Sequence, residues 1–312
     1  MALVLLLGGL SLLALPGAAR RPGRRLDPAE WARLSAALLM VGAAVTWFSV
    51  VLFAAPTVLR AVGVPDLADA CERMLGPLAP GGPTVGWSAL VLAVALATLT
   101  GSGAGRARRD QRRFHIEPWL GEHERLDGHD LVVVPTDELL ALSVDGHPSQ
   151  IVVSRGLVGT LSPSELTAVV RHEAAHLDHR HQRYLLLAAA LEHGFAVVPF
   201  VGRSTRALRA ALERWADETA AGAEGESRAV LRAALLGVTM AIVNPAAAAF
   251  GAAETVMERL AALDGDVSRP SALRRAAVYL PAVTVSAAVL VALGAWAGDL
   301  RALLAMSGRC PT

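Results

Sequence analysis

The feature that most constrains this chain is a set of long apolar runs that contain no charged residue. Four of these runs approach or exceed the length of a membrane-spanning helix, and they cover residues 2–19, 34–59, 74–105 and 276–298. A spanning helix needs about 20 apolar residues, because the hydrocarbon core of a bilayer is about 30 Å thick. Hydrophobic residues make up 54% of the chain and charged residues 18%, a balance typical of membrane proteins. The sequence therefore predicts a mainly α-helical membrane protein with about four transmembrane helices.

The apolar runs also predict the domain organisation. The amino-terminal part would hold three transmembrane helices and an outer loop, and a domain outside the bilayer would precede the fourth helix and a short outer tail. The first run has no charge before it and arginines after it, which favours a retained anchor over a cleaved signal peptide. The predicted ranges are 1–105 for the amino-terminal part, about 2–19, 34–59 and 84–105 for its helices, 56–83 for the loop, 106–275 for the domain, 276–298 for the fourth helix and 299–312 for the tail.

Arginine alone carries the topology signal, because the chain contains no lysine. Arginines cluster in residues 20–25 and 106–113, beside predicted spans, whereas the loop at 56–83 holds more acids than arginines. Cytoplasmic loops of membrane proteins are enriched in basic residues. We therefore expect a multi-pass protein of the cell membrane with both termini outside and the domain at 106–275 in the cytoplasm. The arginines do not alternate with aromatic residues, so we expect no direct nucleic-acid binding.

Two further apolar stretches are ambiguous, and whether either spans the membrane stays open. Residues 184–201 contain Glu192 and Pro199, and residues 233–253 contain the Asn244-Pro245 pair, which would break a lipid-facing helix. We interpret both as buried or interfacial helices.

Residues 106–161 are no longer membrane-like in composition. Short β-prone runs at 131–135, 138–143 and 150–154 are separated by turn residues, which predicts a small antiparallel sheet. The last run directly precedes the helix described next, and as an edge strand it would bind a peptide substrate by strand addition. The residues of this predicted edge strand are Gln150, Ile151, Val152, Val153 and Ser154.

The stretch His172-Glu173-Ala174-Ala175-His176 carries the strongest chemical signal. Residues four apart lie on the same face of a helix, so both imidazoles can bind one zinc ion, and the glutamate between them supplies a base. The helix itself is predicted by Ser162-Pro163-Ser164-Glu165, which combines an N-cap serine, a proline at the first helical position and a glutamate at the third.

A catalytic zinc commonly takes three protein ligands and one water, so a third ligand is needed. A downstream helix, which Ser204 would cap and Gly222 would end, carries Glu213 and Asp217 on one face. Glu213 would bind the metal, and Asp217 would accept the free N–H of a histidine ligand. The alternatives are a solvated acidic helix face and, as a rival ligand, Glu192 in an apolar run.

These segments resemble the gluzincin core of the BlaR/MecR-type membrane metallopeptidases. The resemblance rests on His172–His176, the following Arg180-His181 and Glu213-Arg214-Trp215-Ala216-Asp217. It implies one zinc ion held by His172, His176 and Glu213, with Glu173 activating water. The HtpX and CAAX prenyl protease families share this core and are the second resemblance. No segment after Thr312 would form the extracellular penicillin-binding domain of the antibiotic sensors, so we do not expect beta-lactam sensing.

The resemblance implies a membrane zinc metalloendopeptidase with a cytoplasmic α+β domain. Its substrate would be a cytoplasmic or membrane-proximal protein or peptide, with a transcriptional repressor as one candidate, and the lipid bilayer is its other partner. The alternatives are an HtpX-like quality-control protease and a non-catalytic membrane receptor or scaffold that keeps a zinc core. The sequence does not indicate the oligomeric state.

The two cysteines, Cys71 and Cys310, both lie in segments predicted to be outside. A disulfide between them would tie the tail to the outer loop, with two free thiols as the alternative.

Overall fold

The computed structural model describes most of the chain and consists mainly of helices. The described residues are 1–19, 26–75, 82–113, 122–126, 129–146, 149–222, 225–242, 251–264 and 272–307. The helices are α1 (Ala2–Ala18), α2 (Pro28–Ala61), α3 (Pro65–Leu75), α4 (Pro83–Arg113), α5 (Arg155–Thr160), α6 (Pro163–Asp178), α7 (Gln182–Gly194), α8 (Pro199–Ala221), α9 (Gly225–Ile242), α10 (Gly251–Asp264) and α11 (Ala272–Ser307). The strands are β1 (Glu122–Leu126), β2 (His129–Val134), β3 (Ala141–Val144) and β4 (Gln150–Ser154).

Three described helices are long and apolar enough to cross a membrane. They include Pro28–Ala61 in α2, Pro83–Asp110 in α4 and Arg275–Asp299 in α11. Helix α1 is apolar but has only 17 residues, so a fourth span stays a prediction. Helices α7 and α9, which contain most of the described residues of the two ambiguous stretches, are not among these candidates.

Helix α1 connects two distant parts of the structure. Its amino-terminal end lies at α3, where the Met1 amino group donates to the Leu75 carbonyl at 2.9 Å. Its other end lies at α8, where the Gly17 backbone N–H donates to Ser204 Oγ at 3.0 Å. Leu75 of α3 and Ser204 of α8 therefore lie at opposite ends of α1.

The contact with Gly17 also corrects the predicted start of α8. Ser204 does not cap this helix, which begins five residues earlier with Pro199 in its first turn. Proline is preorganised for the first helical turn because its φ is fixed and its missing N–H would have had no intrahelical partner there. The predicted end is confirmed, since Gly222 is the C-cap with a φ of +58°.

Glycines allow α1 and α2 to approach closely. A Cβ atom added at Gly42 would lie 2.9 Å from both the Gly9 carbonyl oxygen and the Leu13 backbone nitrogen. Small residues at such crossings let helix backbones pack directly in membrane proteins. The pairing of α1 with α2 therefore depends on the missing side chain at Gly42.

The sheet is mixed, so the predicted antiparallel sheet is wrong. Its strand order is β1-β2-β4-β3. The β1–β2 and β3–β4 pairs are antiparallel, but β2 and β4 are parallel. The chain passes from β2 to β3, turns back into β4, and inserts β4 between them, so that β4 runs in the same direction as β2. Strand β1 was not predicted, because its sequence Glu-His-Glu-Arg-Leu lacks the apolar alternation of a strand.

The prediction that Gln150–Ser154 forms an edge strand is also wrong. These residues form β4, which is hydrogen-bonded to β2 on one side and to β3 on the other, and all five are buried. The sequence shows an apolar run but not its neighbours, and a run buried on both faces is typical of a central strand. Within the described part of the sheet, the edges are β1 and β3.

The sheet holds α6 by one apolar face. Val170 and Ala174 of α6 belong to a buried cluster with Val133, Ile151 and Val153 of the sheet. The opposite side of α6 faces α8. The helix that carries the histidine motif is thus fixed between the sheet and α8.

The predicted disulfide involves Cys310, which lies outside the described residues. Cys71 is half-buried on α3. The pairing therefore stays a prediction.

We expect Gly42→Ala to destabilise the protein by about 1–3 kcal/mol, because the methyl group meets backbone atoms that cannot move independently. The measurement is thermal unfolding of the full chain in detergent. Gly101→Ala is the matched control, because a Cβ atom there meets no atom within 4 Å. Equal melting temperatures for the two variants would contradict this account of the helix crossing.

Candidate metal centre

Helix α6 presents two imidazoles toward α8. A capping box fixes the start of the helix, since the Ser162 hydroxyl accepts from the Glu165 backbone N–H and the Glu165 carboxylate accepts from the Ser162 backbone N–H. His172 and His176 are both buried, and their Nε2 atoms are 3.2 Å apart. The motif histidines therefore converge on one point.

Glu213 of α8 completes a three-residue cluster. Its carboxylate lies 3.5 Å from His172 Nε2 and 3.8 Å from His176 Nε2. One ligand atom from each residue falls within 4.8 Å of the others. Ligand atoms about 2.1 Å from a tetrahedral zinc ion lie about 3.4 Å from one another. The donor set and its spacing fit a zinc ion.

Asp217 lies one turn after Glu213 and contacts the other side of His172. Its Oδ1 atom is 3.0 Å from His172 Nδ1, and the residue is only 3% exposed. A proton on Nδ1 would be shared with this carboxylate, which leaves the Nε2 lone pair available for a metal.

Arg259 of α10 is the residue that sequence reasoning missed. It donates to both Asp217 oxygens, through Nε at 2.8 Å and an Nη atom at 2.6 Å, and its other Nη atom lies 3.2 Å from Glu213. The buried Asp217 carboxylate needs a counter-charge, and Arg259 supplies it. The sequence did not indicate Arg259 because it lies 42 residues from Asp217 and shares no motif with it.

The surrounding charges set the protonation of the cluster. Burial disfavours the charged form of His172, but the Asp217 and Glu213 carboxylates outweigh burial and raise its pKa to about 9. Burial also disfavours ionised Glu213, but His172 and Arg259 outweigh it and hold its pKa well below the usual range. Burial lowers the pKa of His176. Because a metal binds the neutral imidazole, binding at His172 would displace its proton.

Glu173, the middle residue of the motif, differs from the two histidines in exposure. It is only half-buried, whereas His172 and His176 are buried. A carboxylate next to the ligands and open to water has the access that a general base requires.

The rival ligand Glu192 is used elsewhere. Its carboxylate accepts hydrogen bonds from Thr205 Oγ1 at 2.6 Å and from an Nη atom of Arg209 at 3.1 Å. It does not belong to the metal-binding cluster found among the described residues. Glu192 therefore links α7 to α8.

The histidines after the motif form an aromatic cluster with Trp215. The ring of His179 stacks on Trp215 with centroids 4.6 Å apart, and His181 lies 4.8 Å from the same ring. Burial, and then repulsion from His176, lowers the pKa of His181 to about 3. Arg33 of α2 covers Trp215 at 4.7 Å from the ring centre. The cluster thus links the candidate metal centre to α2, one of the candidate membrane spans.

We expect Arg259→Met to destabilise the protein by about 3–5 kcal/mol, because it leaves the buried Asp217 carboxylate without its counter-charge. Thermal unfolding of the metal-free protein in detergent measures the effect. Arg155→Met is the control, since it breaks an exposed pair with Glu122 and should cost at most about 1 kcal/mol. Similar losses in both variants would contradict a special role for Arg259.

One comparison with known proteins gives a match. Residues 135–264 match the model of Peptidase family M48, and this range contains His172, His176, Glu213, Asp217 and Arg259. Searches of curated proteins and of solved structures gave no match. The matched range covers strands β3 and β4 and helices α5 to α10, while β1, β2, α1 to α4 and α11 lie outside it. The match and the three-ligand cluster together indicate that this part of the chain is similar to the zinc metallopeptidases of family M48.

Proposed function

We propose that this protein is an integral membrane zinc metalloendopeptidase that hydrolyses peptide bonds of a cytoplasmic or membrane-proximal protein. The observation that carries the proposal is the cluster of His172, His176 and Glu213, whose ligand atoms fall within 4.8 Å of one another beside a half-buried Glu173. A structural zinc site commonly uses four ligands, often cysteines, whereas a catalytic site leaves one position open. This difference argues against a non-catalytic receptor or scaffold.

Each residue of the site has a distinct task in the proposed reaction. His172, His176 and Glu213 would hold a zinc ion, which would supply Lewis acidity to the scissile carbonyl and to a water molecule. Glu173 takes a proton from that water and transfers it to the leaving amine nitrogen. Asp217 keeps the proton of His172 on Nδ1, and Arg259 keeps Asp217 ionised and in place.

The packing of α8 supports a site close to the membrane surface. This helix carries Glu213 and contacts both α1 and α2. Its Trp215 lies beneath Arg33, which belongs to the first two turns of α2 and precedes the uncharged stretch of that helix. The contact between Trp215 and Arg33 therefore supports a metal centre near the end of a predicted span. The arginine clusters favour the cytoplasmic side.

Strand β3 replaces β4 as the proposed substrate-binding edge. It pairs only with β4 in the described sheet and lies against α6. An extended peptide added along β3 would run beside the helix that carries His172 and His176. Main-chain hydrogen bonds would hold it with little dependence on side chains.

The physiological role has two forms under this proposal. In one, the enzyme cleaves a repressor, as the resemblance to BlaR/MecR-type proteins implies. In the other, it removes damaged membrane proteins, as the resemblance to HtpX implies. The two roles can be distinguished by comparing the proteome of cells that express the active protein with that of cells that express Glu173→Gln. One discrete fragment of a regulatory protein, present only with the active protein, supports the first role. Many fragments of membrane proteins support the second.

We expect Glu173→Gln to lower peptidase activity by about 100-fold or more, because the amide cannot accept the proton from water. Zinc content should remain at one ion per chain, since Glu173 is not in the ligand cluster. Peptide cleavage by the purified protein and metal analysis give the two readouts. Glu124→Gln, which changes an exposed carboxylate of β1, is the control and should leave activity unchanged. Full activity in Glu173→Gln would reject the proposed chemistry.

A further inference from the structure

Helix α6 ends in a turn that brings two histidines together. The His181 backbone N–H donates to the His176 carbonyl at 2.9 Å, and the Arg180 N–H donates to the Leu177 carbonyl at 2.9 Å. Arg180 has a φ of +52°. These are the features of a Schellman motif, in which the second residue past the cap packs against the residue five positions earlier. That contact is commonly apolar, but here it joins His181 to His176.

The two rings meet through their Nδ1 atoms. His181 Nδ1 lies 2.9 Å from His176 Nδ1, and the rings are nearly perpendicular, at 82°. His181 is fully buried. At this distance one nitrogen must carry a proton and the other must accept it, because two lone pairs or two N–H groups would repel each other.

The direction of this hydrogen bond follows from the use of His176 Nε2. That atom lies with His172 Nε2 and Glu213 in the metal-binding cluster, so it needs a free lone pair. The proton of neutral His176 is then on Nδ1, and His181 Nδ1 must be the acceptor. The opposite direction would place a proton on His176 Nε2 and block the ligand atom.

We propose that His181 is a positioning residue that holds His176 in its metal-binding tautomer and ring orientation by accepting a hydrogen bond from His176 Nδ1. The inference rests on the proposed function, because it assumes that His176 is a zinc ligand. The two ligands are then oriented by different groups: the Asp217 carboxylate on His172, at 3.0 Å, and a neutral imidazole on His176.

The packing around His181 holds the acceptor in place. Its ring is 4.8 Å from Trp215, 5.8 Å from His179 and 6.4 Å from Tyr184. Its Nε2 atom is buried and has no hydrogen-bond partner among the described residues. The contact with His176 is therefore the side-chain hydrogen bond through which His181 acts on its surroundings.

The test compares zinc affinity in the full-length protein in detergent, using zinc ion alone and competition with a chelator. His181→Phe keeps a buried ring but removes the acceptor, and His181→Asn keeps an acceptor oxygen near the position of Nδ1. We expect the phenylalanine variant to bind zinc about 10- to 100-fold more weakly, as on removal of other groups that orient metal ligands. The asparagine variant should recover most of the affinity. The visible spectrum of the cobalt-substituted protein should change in the first variant and return toward normal in the second.

His179→Phe is the matched control. It removes a neighbouring imidazole from the same cluster, where His179 contacts Trp215 and Thr219 rather than His176. Its zinc affinity should stay close to that of the unmodified protein. Unchanged affinity and cobalt spectrum in His181→Phe would overturn the inference alone. Failure of the unmodified protein to bind zinc would instead overturn the proposed function.

A second measurement needs no substitution and so does not depend on the folding of a variant. In zinc-loaded protein labelled with ¹⁵N-histidine, NMR reports which ring nitrogen of each histidine carries the proton. We expect a protonated Nδ1 on His176 and a non-protonated Nδ1 on His181. A protonated Nδ1 on His181 would overturn the inference.

Discussion

The rest of the site depends on the interaction of charged side chains between α6 and α8. Asp217 lies 3.0 Å from His172, and Arg259 donates to both oxygens of Asp217 while lying 3.2 Å from Glu213. Two carboxylates this close would repel each other without a cation, and neither would remain ionised at low energetic cost. Arg259 therefore allows α8 to present an ionised oxygen ligand to the histidines of α6. Three helices that are distant in sequence become one unit around this charge.

Helix α8 contacts the candidate metal centre and the amino-terminal apolar helices with different parts of its surface. Glu213 and Asp217 face α6, whereas Leu208 and Leu212 are buried in a cluster with residues of α1 and α2. Ser204 accepts a hydrogen bond from the end of α1, and Trp215 lies between Arg33 and the histidines that follow the motif. Because packed interiors are rigid, a change in the position of α1 or α2 would also change the position of Glu213. The packing of α1 and the candidate membrane helix α2 thus helps to hold the site in place.

Predictions from the sequence were most successful where they concerned residues close to one another in the chain. Local rules worked: the capping box at Ser162 and Glu165 is present, and α8 ends at Gly222. Among predictions that required a neighbour distant in the chain, the grouping of Glu213 with His172 and His176 agrees with the structure, but others were wrong. The sequence indicated that Gln150–Ser154 is a strand, but not that it lies in the centre of the sheet between β2 and β3. Ser204 was predicted to cap α8, but its hydroxyl accepts a hydrogen bond from α1. Arg259 shares no sequence motif with Asp217, and only the fold brings the two together.

The sequence by itself determined the local features of the protein. These are apolar runs of membrane-spanning length, two histidines one helical turn apart, and two acids with the same spacing on another helix. These follow from helix periodicity and from hydropathy, which act within a few residues. Only the tertiary structure decided that the two helices meet, that Arg259 neutralises the acids, and that His181 lies on His176. Those facts depend on contacts across tens of residues, and on the turn at Arg180, whose positive φ no local preference of arginine predicts.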